Sequence, residues 1–180
     1  MLWRLWLNSS LMAINKIFVL AFILLTACKD DTFDSVVPEY NVRYSCNSSL
    51  VNAYLQQTKQ VGLDCQGGYV RVYDRKSLSA GDVVGAGGLL ILQSFDGAFY
   101  AYDLACPYCF SKGKTGGNVR RIDMKDDGFT AVCHDCTSEY NAVFWGAPVP
   151  TAGPANEEKL ILRQYRAQRL ADGVTVMVSR

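Results

Sequence analysis

Residues 88–109 read GLLILQSFDGAFYAYDLACPYC. The first part, Leu89 to Leu92, is a short unbroken apolar run. A run of that length suits a strand buried on both faces. Asp96-Gly97 is a strong hairpin dipeptide. Phe99 to Leu104 then alternates, as the second arm of a hairpin does. The arm ends on Cys106-Pro107-Tyr108-Cys109. This stretch therefore predicts a β-hairpin that delivers a cysteine pair at its tip.

A second pair, Cys133-His134-Asp135-Cys136, follows after 23 intervening residues. Two Cys-x-x-Cys knuckles bring four thiolates together. Backbone N–H groups within each knuckle can point at sulfur and ease its charge. Four thiolates suit zinc, a single iron or a [2Fe–2S] cluster. The spacing points to one shared site formed by Cys106, Cys109, Cys133 and Cys136. It does not choose the metal. Outside the cytoplasm the same four residues could instead form disulfides.

Outward from the hairpin, short β-rich segments continue. EYNVRYSC (39–46), YVRVYD (69–74), VRRIDM (119–124), FTAVC (129–133), KLILRQYRAQRL (159–170) and VTVMVS (174–179) read as strands. Asp127-Gly128 and Asp172-Gly173 supply two further turns. SSLVNAYLQQTK (48–59) carries a Ser cap signal and paired apolar positions, and is the single segment that reads as a helix. The expected class is all-β, with at most one short helix.

The amino-terminal end reads differently. Residues 17–25 are IFVLAFILL, nine apolar residues behind Lys16. About 20 residues are needed to span a bilayer, so this is too short and fits the core of an export signal. Leu25-Thr26-Ala27-Cys28 resembles the lipobox of bacterial lipoproteins, which implies a lipid on Cys28. A start at Met12 would give a compact signal. The expected organisation is a signal over 1–27, a lipidated tether over 28–39 and a β domain over 40–180. Lys29-Asp30-Asp31 resembles the export tag of some surface lipoproteins. The expected location is a bacterial envelope membrane, the outer membrane or cell surface.

From Cys28 onward the chain keeps 16 basic and 17 acidic residues, because Arg4 and Lys16 fall in the signal. A near-neutral chain without a cationic run excludes nucleic acid as a partner. Gly113-Lys114-Thr115 has the tail of a phosphate loop but lacks the first glycine and a following helix. Asp103, Asp135 and Glu139 show no acid–base spacing and read as solvated carboxylates. His134 is the sole histidine, so a zinc-protease motif is impossible. Cys46 and Cys65 remain as an even pair in an exported domain. They are expected to form a disulfide.

The flanks of the knuckles add a resemblance. Residues 88–109, then FTAVCHDCTSEYNAVFWGAPVPTAGPANEEKLILRQYRAQ, resemble the two cluster loops of Rieske proteins. The matching features are the two knuckles, Ser138-x-Tyr140, Gly146 and Gly153-Pro154-Ala155, over roughly residues 68–180. The resemblance implies a Rieske-like fold, a [2Fe–2S] cluster, one-electron transfer and a redox protein partner. The match breaks at the ligands. Tyr108 and Cys136 stand where the family has histidines, and Cys109 is one place late. One histidine cannot supply two ligands, so the cluster would be held by Cys106, Cys109, Cys133 and Cys136. A single zinc, or no metal with disulfides, is the alternative, and would make the chain a structural or binding lipoprotein. The signal lacks an Arg-Arg pair, the usual mark of proteins exported with a cluster already inserted.

Overall fold

The computed structural model describes residues 33–48, 58–60, 63–66, 69–73, 78–94, 97–142 and 148–180. The fold is all-β. Among the described residues twelve strands are defined: β1 (Arg43–Asn47), β2 (Thr58–Gln60), β3 (Leu63–Gln66), β4 (Tyr69–Val72), β5 (Leu89–Gln93), β6 (Phe99–Asp103), β7 (Asp123–Met124), β8 (Thr130–Val132), β9 (Glu139–Asn141), β10 (Pro150–Ala152), β11 (Gln164–Arg169) and β12 (Thr175–Ser179). They form an eight-stranded sheet, β1-β12-β11-β6-β5-β4-β3-β2, and a four-stranded sheet, β10-β9-β8-β7. All pairings between strands are antiparallel. The helical elements defined among the described residues are single turns, α1 (Pro107–Ser111), α2 (Pro154–Glu157) and a 3-10 turn at Gly116–Asn118.

The hairpin of residues 88–109 forms as expected, with Leu90 opposite Tyr102 and Ile91 opposite Ala101. The unbroken apolar run has a direct cause. Strand neighbours point to opposite faces, and both faces of β5 are covered. Leu89 and Ile91 join Val70, Val72, Ala101, Tyr165, Val176 and Val178 in one core. Leu90 and Leu92 join a second core with Tyr102, Ile122, Tyr140 and three of the knuckle cysteines. The four-stranded sheet packs on this second face through Met124, Ala131 and Tyr140.

Several segments differ from the sequence expectation. The strand expected over 119–124 shrinks to its last two residues. Val119 turns into a small core with Val37 and Ala105. The Arg120 carbonyl accepts the N–H of Cys106 instead of joining a ladder. Residues 159–163 are not strand, although Leu160 and Leu162 are buried. The helix expected over 48–59 falls, from 49 to 57, outside the described residues, and Thr58–Gln60 at its end is strand. The Asp96 turn and the 143–147 segment also lie outside them.

The segment expected as a tether is docked from Asp34 onward. The Asp34 carbonyl accepts the N–H of Ile161 at 2.9 Å. The Arg163 guanidinium donates to the carbonyls of Ser35 and Val37 at 2.9 and 2.8 Å. Val37 is fully buried beside Ala105. Among the described residues no helix is long and apolar enough to cross a membrane. The expected signal, the expected lipid site at Cys28 and Cys65's side chain lie outside the described residues, so the expected Cys46–Cys65 pairing does too. Cys46 is buried on β1 in the core that holds Val70, and Val70 is the register partner of Cys65.

Asp103 is fully buried, contrary to a solvated reading. Its carboxylate accepts N–H bonds from Ala86, Gly87 and Ala105 at 2.8, 2.8 and 2.9 Å. The Tyr165 hydroxyl adds a fourth at 3.1 Å. Burial pushes the carboxyl up, and the four donors pull against it. The residue pins the 85–87 loop to the end of β6. Tyr102 shows the opposite case. Its ring is fully buried, and its hydroxyl has no partner among the described residues. Tyr102→Phe removes a desolvated, unpaired group and is expected to be neutral or stabilising by about 1 kcal/mol. Urea unfolding would measure it, and a loss of more than about 1 kcal/mol would reveal a partner.

Candidate metal centre

Each knuckle is built by a different local structure. Cys106 caps α1 with Pro107 in the first helical position. Proline suits that position because its φ is already helical and its missing N–H would be unpaired anyway. The Cys106 carbonyl then accepts the N–H of Phe110 at 2.9 Å. The second knuckle is a tight turn after β8. The Thr137 N–H donates to the Cys133 carbonyl at 2.8 Å, and Thr137 itself sits at φ 59°. Left-handed backbone is unusual for a β-branched residue. Ser138 ties this knuckle to α2: its hydroxyl oxygen accepts the Ala155 N–H at 3.1 Å and lies 3.2 Å from Cys136 Sγ.

The structure brings all four expected cysteines together. Their sulfur atoms all lie within 4.8 Å of one another. Cys106 Sγ is 3.5 Å from Cys136 Sγ, and Cys109 Sγ is 3.7 Å from Cys133 Sγ. Both contacts run between knuckles. They far exceed an S–S bond of about 2.05 Å, so these are not disulfides. Cys106, Cys109 and Cys133 are buried, and Cys136 is half-exposed. Backbone N–H groups point at sulfur in both knuckles, from Cys109 to Cys106 and from Asp135 and Cys136 to Cys133.

The sulfurs divide into unlike protonation states. A hydrogen bond from Cys106 holds Cys133 down to about 5, with help from the N–H groups of Cys136 and Asp135. Its counterpart Cys106 is pushed up by the same bond and by burial. Burial, then the charge on Cys133, pushes Cys109 up to about 12. Cys106 and Cys109 are therefore thiols at neutral pH in the metal-free chain. Metals bind thiolates, so binding at pH 7 is expected to release at least two protons. Affinity should then fall about a hundredfold for each unit of pH lost. Zinc competition titrations at two pH values would measure the slope, and a flat profile would contradict the assignment.

Tyr140 is fully buried under the site, with its hydroxyl 3.9 Å from Cys106 Sγ. Burial and the neighbouring sulfur push its ionisation up, so it stays a neutral hydroxyl facing sulfur. His134 takes no part. Its side chain is 75 % exposed, with Nε2 4.0 Å from Asp123 Oδ2. Asp135 pairs with Arg120, and Glu139 with Lys125, each at 2.5 Å. These carboxylates brace the rim of the knuckles and are not placed for acid–base work. Phe144, Trp145 and Gly146 lie outside the described residues.

Comparison of the chain with known protein families, curated proteins and solved structures finds no match. The site must be read from its own chemistry. Among the described residues the group consists of four sulfurs with no carboxylate or imidazole in it, a soft donor set suited to zinc or iron and unsuited to calcium or magnesium. The residues present fit such an ion. Four protein ligands would complete a tetrahedron and leave no position for a reactive water.

Proposed function

We propose that the chain is an exported, lipid-anchored domain whose tip is held by one metal ion on Cys106, Cys109, Cys133 and Cys136. The observation that carries this reading is the compactness of the sulfur group. With metal–sulfur bonds of about 2.3 Å, a tetrahedron has edges of about 3.8 Å. The cross-knuckle contacts of 3.5 and 3.7 Å sit close to that value. A [2Fe–2S] cluster spreads its outer sulfurs over two irons joined by sulfide, and so needs a wider cage. The ion would clamp the first knuckle, on the eight-stranded sheet, to the second, on the four-stranded sheet. The domain would act as a structural or binding module.

A second reading keeps the resemblance to Rieske proteins and assigns one-electron transfer through a four-cysteine iron–sulfur centre to a redox partner. The Tyr140 hydroxyl and the N–H groups aimed at sulfur favour it, because such donors tune a redox centre. The deciding experiment is zinc, iron and acid-labile sulfide per chain, in protein extracted from the membrane of an exporting host. One zinc without sulfide supports the clamp. One iron without sulfide keeps the single-ion site and makes it redox-active. Two irons with two sulfides replace the first reading by the second. Neither metal would overturn both.

A further inference from the structure

We propose that Cys106 and Cys136 form a reversible disulfide between the knuckles, with Cys109 and Cys133 as a second pair, so that oxidation replaces the metal as the clamp. Three observations carry it. The pairs already stand at 3.5 and 3.7 Å. The knuckle backbones on either side are fixed, by α1 and by the Thr137 turn. Cys136 is the half-exposed member of the four, so it is where an oxidant arrives.

The oxidant is a disulfide, on a small molecule or a partner protein. The Cys136 sulfur attacks one of its sulfur atoms and gives its proton to solvent. The oxidant's S–S bond breaks, and the first reduced thiol leaves. Cys106 then attacks the Cys136 sulfur of the mixed disulfide, which expels the second thiol. Two cysteine thiols are oxidised by two electrons, and one oxidant disulfide becomes two thiols. A sulfur in a disulfide no longer binds metal as a thiolate, so an ion held there is released. The loops stay joined in the same arrangement. The cross-linking needs only the sulfur geometry, and the metal-release arm rests on the single-ion reading.

The test uses the full chain, as isolated and after chelation under reductant, exposed to glutathione disulfide. Trypsin leaves Cys106 and Cys109 on peptide 77–112, and Cys133 and Cys136 on peptide 126–159. The expected product is one species joining the two peptides. Separate peptides with internal bonds, or stable glutathione adducts on both, would overturn the proposal. The Cys109→Ser/Cys133→Ser double variant should still form the Cys106–Cys136 bond. Cys136→Ser should slow the first step at least tenfold, and an unchanged rate would remove Cys136 as the point of attack. Zinc-loaded protein should release its ion in step with cross-linking. Failure to cross-link in zinc-loaded and zinc-free chain alike would sink this proposal and leave the clamp standing.

Discussion

Replacing Cys136 by serine is expected to weaken metal binding at the tip about a hundredfold while leaving the fold in place. Structural zinc sites bind with about 10–16 kcal/mol spread over four ligands, so one sulfur carries about 3 kcal/mol, roughly a hundredfold in affinity. Cys136 is the cleanest position for this test because it is half-exposed. A serine hydroxyl there stays solvated. The same change at Cys106 would bury a hydroxyl with no exposed surface and confuse metal loss with core damage. An ion present at a thousand times its dissociation constant stabilises the domain by about 4 kcal/mol. For a domain of this size that is about 10 °C in melting temperature. Chelation of the wild-type protein should produce that drop, and chelation of Cys136→Ser, whose ion would sit at only about ten times its dissociation constant, should produce about a third of it. A variant that keeps the wild-type metal affinity and melting temperature would show that the four sulfurs do not form one site.

Gly153→Ala is expected to damage both the fold and the second knuckle. Gly153 sits at φ 75° and ψ −173°, a region essentially confined to glycine. A Cβ there would stand 2.8 Å from the Thr137 carbonyl oxygen and 2.8 Å from Ser138 Cα. Both are backbone atoms just past Cys136, so neither can swing aside. Backbone strain of about 1–3 kcal/mol and the displaced knuckle together should cost about 4 kcal/mol. Gly173→Ala is the control. Gly173 has φ 71° but nothing within 4 Å of an added Cβ, so it should lose only about 1 kcal/mol. Urea unfolding of both variants, with and without chelator, separates the two terms. If Gly153→Ala is no worse than Gly173→Ala, the close approach of α2 to the second knuckle is not maintained in solution. Gly153→Ala should also weaken metal binding, and Gly173→Ala should not.

The parts of this molecule that were legible in its sequence share a cause. Leu89 to Leu92 had to be apolar on both sides because both faces of β5 are covered. The turn dipeptides at 127–128 and 172–173 fold locally, with Asp127 and Asp172 each accepting two backbone N–H groups. The four cysteines were legible because a shared site needs two knuckles and little else. What was missed depends on contacts distant in sequence. The burial of Asp103 follows from a loop that folds back onto the end of β6. The short β9 and β10 carry no run long enough to read, and they exist because they pair with each other and with β8. The α1 turn did carry a signal, a proline one place after Cys106. The left-handed Thr137 carried none.

The two cores share one strand. β5 sends alternate side chains into each, and its backbone is bonded to β4 on one side and β6 on the other. Neither core can open without pulling on the same amides. The consequence is a single cooperative unit rather than a stable body with a loose metal tip. In hydrogen exchange, Leu89 to Leu92 should be the last amides to exchange. Their protection should fall together when the cysteine cluster is emptied, although Leu89 and Ile91 face away from it.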